Sequence, residues 1–278
     1  MDIPVSVLVL TKNEEQDLPG CLESISWCHD IHVFDSYSTD STLQIAEAAG
    51  ASITQRTFDN WAAHQNWGLE HIPFRYPWVF YIDADERMTP ELVASMVRVA
   101  TAESEFVAYR LQRRDFFMGT WLRHCQATPF YMRLFRPEKM RYERLVNPIS
   151  IPKGPVGSCE GYLDHYPFSK GISHWLTRHN SYSTFEAQQI VANRHVGARF
   201  SLAKAFAAKD FTERRYHQKE LLYRLPMRPF VKFMVLYGLK RGFLDGRAGF
   251  TYSTLQAIYE YMIVLKTREI DDLKGNSR

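Results

Sequence analysis

The first hundred residues alternate between short apolar runs and segments with helical periodicity. Val5–Leu10 is a near-continuous aliphatic run, which is typical of a parallel strand buried on both faces. Further strands are predicted at Ile31–Phe34, Ala51–Thr54 and Trp78–Ile82. Helices are predicted between and after them, at Glu14–Ile25, Leu43–Ala49 and Trp61–Glu70 and from Thr89 onward. This repeat predicts a doubly wound, mostly parallel α/β sheet that binds ligands at the carboxyl ends of its strands.

The chain divides into two regions that differ in charge. Residues 1–169 contain 15 Lys and Arg against 22 Asp and Glu, whereas residues 170–250 contain 15 against 5. We predict an α/β domain at residues 1–170 and a helical region at residues 171–278. The helical pattern runs from about Trp175, with breaks expected near Pro226 and Pro229 and at Gly238, Gly242, Gly246 and Gly249. The basic stretch favours contact with an anionic surface or ligand, although a solvated basic face explains it as well.

Composition argues against several classes of protein. With 45% hydrophobic and 23% charged residues in 278, the chain is expected to fold without stabilising metals or disulfides. Its four cysteines form no Cys-x-x-Cys pair, so we expect reduced, buried thiols and no zinc site. No apolar stretch approaches the roughly 18 residues of a membrane-spanning helix, and no secretory signal is visible. We therefore expect a cytoplasmic chain, and we expect no nucleic-acid partner.

Two aspartates follow the fourth predicted strand directly. Asp83 and Asp85 stand at alternate positions where the hydrophobic run Trp78–Ile82 leaves the sheet. At such a place one carboxylate can bind a divalent cation while the other binds a sugar hydroxyl. Carboxylate oxygens suit Mg²⁺ or Mn²⁺, and a cation of that kind would bridge a diphosphate and neutralise it as a leaving group. An acidic pair is also common at strand exits and helix starts, so its position in the sheet matters more than its spacing.

The ends of the first two strands carry polar residues instead of a glycine-rich loop. Asp35 ends the second strand, where an acid can bond a ribose or a base. After the first strand stands the run Thr11-Lys12-Asn13-Glu14-Glu15. Because no G-x-G-x-x-G follows that strand, dinucleotide-dependent oxidoreductases and P-loop enzymes are disfavoured.

Three segments together resemble the signature blocks of a known family. They are Val7-Leu8-Val9-Leu10-Thr11-Lys12-Asn13-Glu14-Glu15, Phe34-Asp35-Ser36-Tyr37-Ser38-Thr39-Asp40-Ser41-Thr42 and Asp83-Ala84-Asp85-Glu86-Arg87. In order and spacing they resemble family-2 glycosyltransferases, whose GT-A fold is a Rossmann-like, mostly parallel sheet with flanking helices. More narrowly, the chain is similar to the lipopolysaccharide-core glucosyltransferase branch over nearly its whole length. The further segments are Trp121, Arg133-Leu134-Phe135-Arg136, His165-Tyr166-Pro167-Phe168, Arg178-His179-Asn180 with Tyr182-Ser183, and Gly242-Phe243-Leu244-Asp245-Gly246.

The resemblance implies an inverting, metal-dependent transfer of a sugar from a nucleotide diphosphate donor, most often a UDP-hexose, to an acceptor hydroxyl. The acceptor would be a lipopolysaccharide-core, exopolysaccharide or other glycolipid. By match to the family pattern, the expected nucleotide-sugar contacts are Thr11, Asn13, Glu14, Asp35, Gln65, Asn66 and Asp83. Asp85 and His165 are expected at the metal, Mn²⁺ or Mg²⁺. Turn and capping chemistry explains Thr11, Asn13 and Asp35 as an alternative, and a structural role explains His165.

One departure from the family pattern concerns the catalytic base. Inversion by single displacement needs a carboxylate within hydrogen-bond reach of the acceptor hydroxyl. Relatives often carry a glutamate where this chain has Pro148, and proline cannot take a proton. Glu143 is the expected replacement, with Asp115 and Asp164 as rivals. Together with Asp83 and Asp85, Glu143 completes the predicted catalytic set.

The basic region contains a strongly apolar helical stretch. Phe230–Arg241 is apolar on most sides and is flanked by Arg224, Arg228, Lys240, Arg241 and Arg247. Such a helix can lie in the headgroup layer of a membrane with its cations near anionic lipid. We therefore expect a peripheral protein on the inner face of the plasma membrane, bound through its C-terminal helices. A homodimer interface would explain the same pattern.

Two other functions are consistent with parts of the pattern. A non-catalytic, membrane-associated sugar-nucleotide-binding protein would keep the nucleotide residues and lose the base, as Pro148 permits. A nucleotidyltransferase would share the aspartates and the metal. It would require a glycine-rich basic loop after the first strand, and residues 11–15 contain no glycine and one lysine. A measurement of turnover would distinguish the glycosyltransferase from the non-catalytic binding protein.

Overall fold

The computed structural model of the protein describes residues 3–126, 128, 130–143, 148–196, 200–207 and 227–275, with the single residues 214, 217, 218, 221, 223 and 225. The chain forms two compact units. The first comprises residues 1–116 and 128–169, and the second comprises residues 117–127 and 170–278.

A parallel sheet forms the first part of unit 1. Its strands are β1 (Val5–Thr11), β2 (Ile31–Asp35), β3 (Ser52–Gln55) and β4 (Trp78–Asp83), in the order β3-β2-β1-β4. Parallel pairing aligns the carboxyl ends, so that Thr11 lies opposite Asp35 and Leu10 lies opposite Asp83. The helices between and after these strands are α1 (Leu18–Ser24), α2 (Thr42–Ala48), α3 (Trp61–His71) and α4 (Pro90–Thr101). The polar residues at the three strand ends therefore share one edge of the sheet.

The sheet continues as a mixed sheet. Its further strands are β5 (Glu86–Met88), β6 (Ala108–Phe117), β8 (Phe130–Phe135) and β11 (Val156–His165), and the order continues β4-β8-β6-β11-β5. Strand β8 is antiparallel to β4 and β6, whereas β11 is parallel to β6 and antiparallel to β5. His165 thereby lies opposite both Asp115 and Glu86. Strands β9 (Met140–Glu143) and β10 (Ile149–Pro152) form a separate antiparallel pair.

The core of unit 1 lies on both faces of the sheet. Along β1, Val5, Val7 and Val9 point to one face, where they pack with side chains from α1 and α4 such as Leu18 and Leu92. Leu8 and Leu10 point to the other face, where the cluster includes Phe34 from β2 and Ala62 from α3. Burial on both faces explains why these strands read as continuous apolar runs instead of alternating ones.

Unit 2 is mainly helical. Its elements are β7 (Thr120–Trp121), α5 (Gly171–Val196), α6 (Leu202–Ala207), α7 (Arg228–Phe233), a π-helical turn Met234–Leu239, a 3-10 turn Gly242–Asp245 and α8 (Gly246–Gly275). The long helices α5 and α8 pack together, and Lys266 of α8 donates to Asn180 Oδ1 at 2.7 Å and to the Ser183 and Thr184 hydroxyls at 2.8 Å. In the part of the chain that the structure describes, no helix is long and apolar enough to cross a bilayer.

The predicted fold class is confirmed, with differences at the level of single elements. The parallel strands begin and end within one or two residues of their predicted positions. Helix α1 begins at Leu18 instead of Glu14, because residues 14–17 form a turn in which Asp17 N–H and Leu18 N–H both donate to Glu14 O. Gly249 does not break a helix but lies inside α8. The four cysteines are buried and form no disulfide, as expected.

Candidate active site at the carboxyl edge of the sheet

Asp35 is enclosed where β1 and β2 end. Its carboxylate accepts hydrogen bonds from the Thr11 hydroxyl at 2.9 Å, Gln55 Nε2 at 3.0 Å and the Ser38 backbone N–H at 2.8 Å, besides the Ser38 hydroxyl. Burial alone would raise the pKa of Asp35, but these donors outweigh it and hold the pKa below its ordinary value. Asp35 is fully buried. In this conformation Thr11 and Asp35 shape the loop, and their contact with a nucleotide stays a prediction.

Asn13 and Glu14 hold the loop after β1 against the loop after β2. Asn13 Oδ1 accepts from the Thr39 backbone N–H at 2.8 Å, and the Glu14 backbone N–H donates to Thr42 Oγ1 at 2.8 Å. Asn13 has a positive φ of 55°, which asparagine tolerates better than most residues. The two loops are therefore fixed to each other at this edge.

The same loops expose a cation and an aromatic ring that no sequence pattern indicates as site residues. Lys12 Nζ donates to Ser36 O at 2.8 Å and to Tyr37 O. Tyr37 is half exposed and has a φ of 60°, an uncommon conformation for a bulky residue. Nothing in the composition marks these two residues; the only sequence signal is their position within the two polar loops.

Asp83 is held at the end of β4 by two neighbours. Arg133 Nη2 donates to Asp83 Oδ2 at 2.7 Å, and the Tyr81 hydroxyl donates to Asp83 Oδ1 at 2.6 Å. The Asp83 side chain is nevertheless 33% exposed, whereas Arg133 is buried and also contacts Glu86 Oε1 at 2.6 Å. Burial raises the pKa of Glu86 even though Arg133 opposes that shift. The result is an oriented, partly accessible carboxylate above a buried ion pair.

Asp85 and His165 lie side by side. His165 Nε2 is 3.3 Å from Asp85 Oδ2, and His165 Nδ1 contacts the buried carboxylate of Asp115. Burial lowers the pKa of His165, but the carboxylates of Asp85 and Asp115 outweigh that effect and raise it to about 9. The two predicted metal residues are therefore brought together, and Asp115 is a third member that the sequence analysis considered only as a base.

This pair fits a divalent cation that is shared with a substrate. Among the residues that the structure describes, no three His, Cys, Asp or Glu side chains form a preformed metal cage. Mg²⁺-type sites often use one or two protein carboxylates, with water and substrate phosphates as the remaining ligands. Asp85 has such an oxygen, and His165 Nε2 can act as a ligand once its proton is displaced. Its contact with Asp115 matches the carboxylate that commonly orients a metal-binding imidazole.

Gln65 and Asn66 are neighbours on α3 with different roles. The Asn66 amide makes two hydrogen bonds with the backbone of Tyr142, each 2.9 Å long. Asn66 Nδ2 donates to Tyr142 O, and the Tyr142 N–H donates to Asn66 Oδ1. Asn66 therefore fixes strand β9. Gln65 is buried, and its Oε1 atom has no hydrogen-bond partner. A buried acceptor without a partner is uncommon, and the contact of Gln65 with a nucleotide sugar stays a prediction.

The three candidate bases differ in their surroundings. Asp164 binds Arg114 through two bonds of 2.6 and 2.8 Å, and Asp115 is buried against His165. Glu143 is exposed at the end of β9 and has no contact with Asp83 or Asp85 among the described residues. Strand alternation points its side chain away from the face that carries buried Tyr142. Pro148 precedes β10, and Asn147 lies outside the described residues.

Comparison with known proteins places these residues in a family. LpsC of Rhizobium meliloti (strain 1021), a lipopolysaccharide core biosynthesis glycosyltransferase, is 28% identical over 98% of this chain and 95% of its own length. The uncharacterized glycosyltransferase RT0209 of Rickettsia typhi is 22% identical over 96% of this chain and 87% of its own.

A solved structure and a family model also match this chain. The structure of glucosyl-3-phosphoglycerate synthase from Mycobacterium tuberculosis with Mn²⁺, UDP and glucosyl-3-phosphoglycerate matches 48% of this chain and 57% of that chain, at 18% identity and a TM-score of 0.37. The model described as "Glycosyl transferase family 2" matches residues 6–163, which is more than half of the chain. The resemblance seen in the sequence is thereby confirmed, and the chain belongs to glycosyl transferase family 2.

Proposed function

We propose that this glycosyltransferase transfers the hexose of a UDP-hexose donor to a hydroxyl of a lipopolysaccharide-core or other glycolipid acceptor. The transfer inverts the anomeric carbon and releases UDP. The observation that carries the proposal is the pairing of Asp85 with His165 beside the oriented carboxylate of Asp83. These groups lie at the carboxyl edge of a sheet, where ligands of doubly wound folds bind. The likeness to LpsC along nearly the whole chain supports the choice of acceptor class.

Asp85 and His165 are the residues that would hold Mn²⁺ or Mg²⁺. When bound, the cation supplies positive charge that stabilises the departing diphosphate. Asp115 keeps the His165 ring fixed through Nδ1, so that Nε2 points toward Asp85. This arrangement orients the imidazole before the donor arrives, which lowers the cost of assembling the site.

Asp83 and Gln65 would contact the sugar nucleotide. The Asp83 carboxylate accepts from Arg133 and Tyr81 and is still one third exposed, so it keeps lone pairs for a hydroxyl of the donor. Gln65 would use its unpaired Oε1 atom. The Asp83 carboxylate is already held in place by Arg133 and Tyr81.

Glu143 is the proposed general base. Of the three candidate carboxylates, it is the exposed one, whereas Asp115 and Asp164 contact His165 and Arg114. It ends β9 immediately before residues 144–147, and acceptor binding would have to bring it to the donor. Glu143→Gln should then lower kcat about 10²- to 10⁴-fold with little change in donor affinity. Unchanged turnover would remove Glu143 from the mechanism.

Calorimetry with and without Mn²⁺ tests the donor class. UDP, GDP and dTDP would be titrated first, followed by UDP-glucose and UDP-galactose. We expect Mn²⁺-dependent binding of UDP that Asp85→Asn weakens strongly, because that change removes a metal-binding charge. Glu160→Gln is the matched control, since Glu160 is an exposed acid in a surface pair with Arg98. Binding of another nucleotide would refute the donor, and normal Mn²⁺-dependent binding by Asp85→Asn would refute the metal assignment.

Turnover is measured separately with a glycolipid acceptor. Transfer of radiolabelled hexose from UDP-hexose to delipidated and intact lipopolysaccharide-core acceptors would identify the acceptor class. Donor binding without transfer to any of these acceptors would instead favour the sugar-nucleotide-binding protein considered from the sequence.

A further inference from the structure

One stretch of unit 2 exposes many large apolar side chains close together in sequence. We call these residues the apolar ridge: Met227, Phe230, Met234, Leu239, Phe243, Leu244 and Phe250. Each is about half exposed or more, and Leu239 reaches 80%. Exposed apolar residues scattered singly need no explanation, whereas a contiguous apolar patch marks a surface that meets a partner.

Ring contacts join the segments that carry the ridge. Tyr237 lies in the π-helical turn, and its ring centroid is 6.3 Å from that of Phe243 and 5.6 Å from that of Phe250. The ring centroid of Phe233 is 5.3 Å from that of Tyr237 and 5.9 Å from that of Phe250. The 3-10 turn and the start of α8 therefore fold back onto the π-helical turn, and the ridge residues Phe243 and Phe250 lie beside Tyr237.

Buried polar contacts hold the ridge from beneath. Asp245, inside the 3-10 turn, accepts from the backbone N–H of Cys125 at 2.8 Å and from His124 Nδ1 at 2.6 Å. Arg228, at the start of α7, donates through Nε to Glu260 Oε1 at 2.9 Å. Both anchors are buried within unit 2. The ridge is thus presented by a fixed scaffold, and its exposure is a property of the folded unit.

The exposed charges within residues 227–250 are all positive. Residues 227–250 contain Lys232, Lys240, Arg241 and Arg247 besides the buried Arg228. Their single acid, Asp245, is buried and faces His124 and Cys125. Arg228 was predicted as a flanking cation for lipid, and this is corrected because its guanidinium is bound to Glu260 inside the unit. Arg224 lies outside the described residues.

We propose that the apolar ridge inserts into the headgroup layer of a membrane that contains anionic lipids. Apolar side chains that protrude between cations are the pattern by which interfacial segments bind, because apolar burial and attraction to lipid phosphate add together. A second copy of the chain fits less well, since a two-fold interface through this surface would bring like charges together. The proposal concerns unit 2 alone and does not depend on the sugar donor. It names the residues through which the peripheral membrane location expected from the sequence would arise.

Vesicle co-sedimentation tests the proposal with the full chain and no nucleotide. The probes are phosphatidylcholine vesicles and vesicles with about one third phosphatidylglycerol. We expect the protein to pellet with the anionic vesicles and to be released as salt is raised, because salt screens the cations. Leu239→Ser/Leu244→Ser should reduce the bound fraction about tenfold or more, since both side chains would lose their burial in lipid. Arg241→Gln/Arg247→Gln should weaken binding to anionic vesicles and leave the weak binding to phosphatidylcholine unchanged.

The matched control is Leu265→Ser/Arg268→Gln. These residues are exposed on α8 but lie more than three turns beyond Phe250, so they should not contact the bilayer together with the ridge. Circular dichroism and sedimentation velocity would accompany every variant. A wild-type protein that stays in the supernatant with both vesicles overturns the proposal, as does equal binding by wild type and Leu239→Ser/Leu244→Ser. A wild-type dimer that this variant dissociates, without vesicle binding, would identify the ridge as a subunit interface instead.

Discussion

His165 Nε2 lies 3.3 Å from Asp85 Oδ2, although one residue ends strand β11 and the other follows strand β4. The fold achieves this by placing β11 between β6 and β5, so that the imidazole has Asp115 on one side and the segment after Asp85 on the other. The order of the strands therefore brings Asp85 and His165 together, and residues on the adjacent strands orient them.

Asp115→Asn should weaken Mn²⁺ binding about 10- to 100-fold, because the amide removes the carboxylate that fixes His165. Electron paramagnetic resonance of free Mn²⁺ would measure the affinity without any turnover. Asp164→Asn is the matched control, because Asp164 neighbours His165 in the strand but binds Arg114. Equal affinities for Asp115→Asn and the wild type would show that Asp115 does not position His165.

Arg133→Leu should destabilise the protein by about 3 kcal/mol, because it removes the guanidinium that binds both Asp83 and the buried Glu86 and leaves Glu86 paired with the more distant Arg113 at 3.4 Å. Urea unfolding would measure the loss. Adding Glu86→Gln should recover part of the stability, since the double variant no longer buries a carboxylate that has lost its nearer guanidinium. No recovery in the double variant would mean that Arg133 acts through packing, for example on the Tyr81 ring 4.3 Å away.

The sequence predicted the parallel half of the fold better than the mixed half. Strands β1 and β4 are buried on both faces and therefore appear as apolar runs. Strand β11 carries Glu160, Gly161 and Asp164, and its register shifts between Ser158 and Tyr162, so it has neither a run nor a regular alternation. Gly161 has a φ of 86° and packs against the backbone of Leu92, a close approach that no local pattern reveals.

The candidate site was predictable where its residues are consecutive and unpredictable where they come from distant strands. Asp83 and Asp85 stand in one short segment, and the family pattern supplied His165. Arg133 came from β8 and Asp115 from β6, and their contacts depend on strand order, which periodicity does not encode. Gly249 was expected to break the helical region but lies inside α8. A Cβ there would be 2.0 Å from Gly242 O, so the close approach of these two segments requires glycine.

Lowering the pH from 6.5 to 4 should reduce the stability of the protein partly through His64. Arg56 Nη1, which can only donate, lies 3.2 Å from His64 Nδ1, so that nitrogen must be unprotonated. Burial, with a further contribution from Arg56, lowers the pKa of His64 from 6.5 to about 4. Below pH 6.5 the unfolded chain binds a proton that the folded chain does not, so stability falls until about pH 4, by about 2 kcal/mol.

His64→Asn isolates this contribution, because its Oδ1 atom can still accept from Arg56 but does not titrate. Urea unfolding at several pH values would compare the two proteins. The variant should be less stable at pH 7, since it loses the stacking of the imidazole on Phe34 at 4.0 Å, and its stability should change less between pH 6.5 and 4. Parallel pH profiles would assign the acid sensitivity to other groups.

Gln65→Met should leave the free protein as stable as the wild type or more stable, and should weaken UDP-hexose binding about tenfold. Gln65 Oε1 is buried without a partner, and an unpaired buried acceptor costs about 1–3 kcal/mol. Methionine has a similar shape and removes that cost. An unpaired Gln65 Oε1 atom lowers the stability of the free protein, and a hydrogen bond to the bound donor would explain why it is there. Thermal unfolding would measure the stability, and calorimetry would measure donor binding.

Asn66→Ala is the contrasting change on the same helix. Asn66 already bonds both backbone groups of Tyr142, so its removal should lower stability by about 1–3 kcal/mol and should affect the donor only through the position of β9. Opposite effects of the two substitutions on stability, with donor binding reduced more by Gln65→Met, would separate a ligand-directed amide from a structural one. Loss of stability in both, with donor affinity retained in Gln65→Met, would assign Gln65 to the packing of α3 and remove it from the donor site.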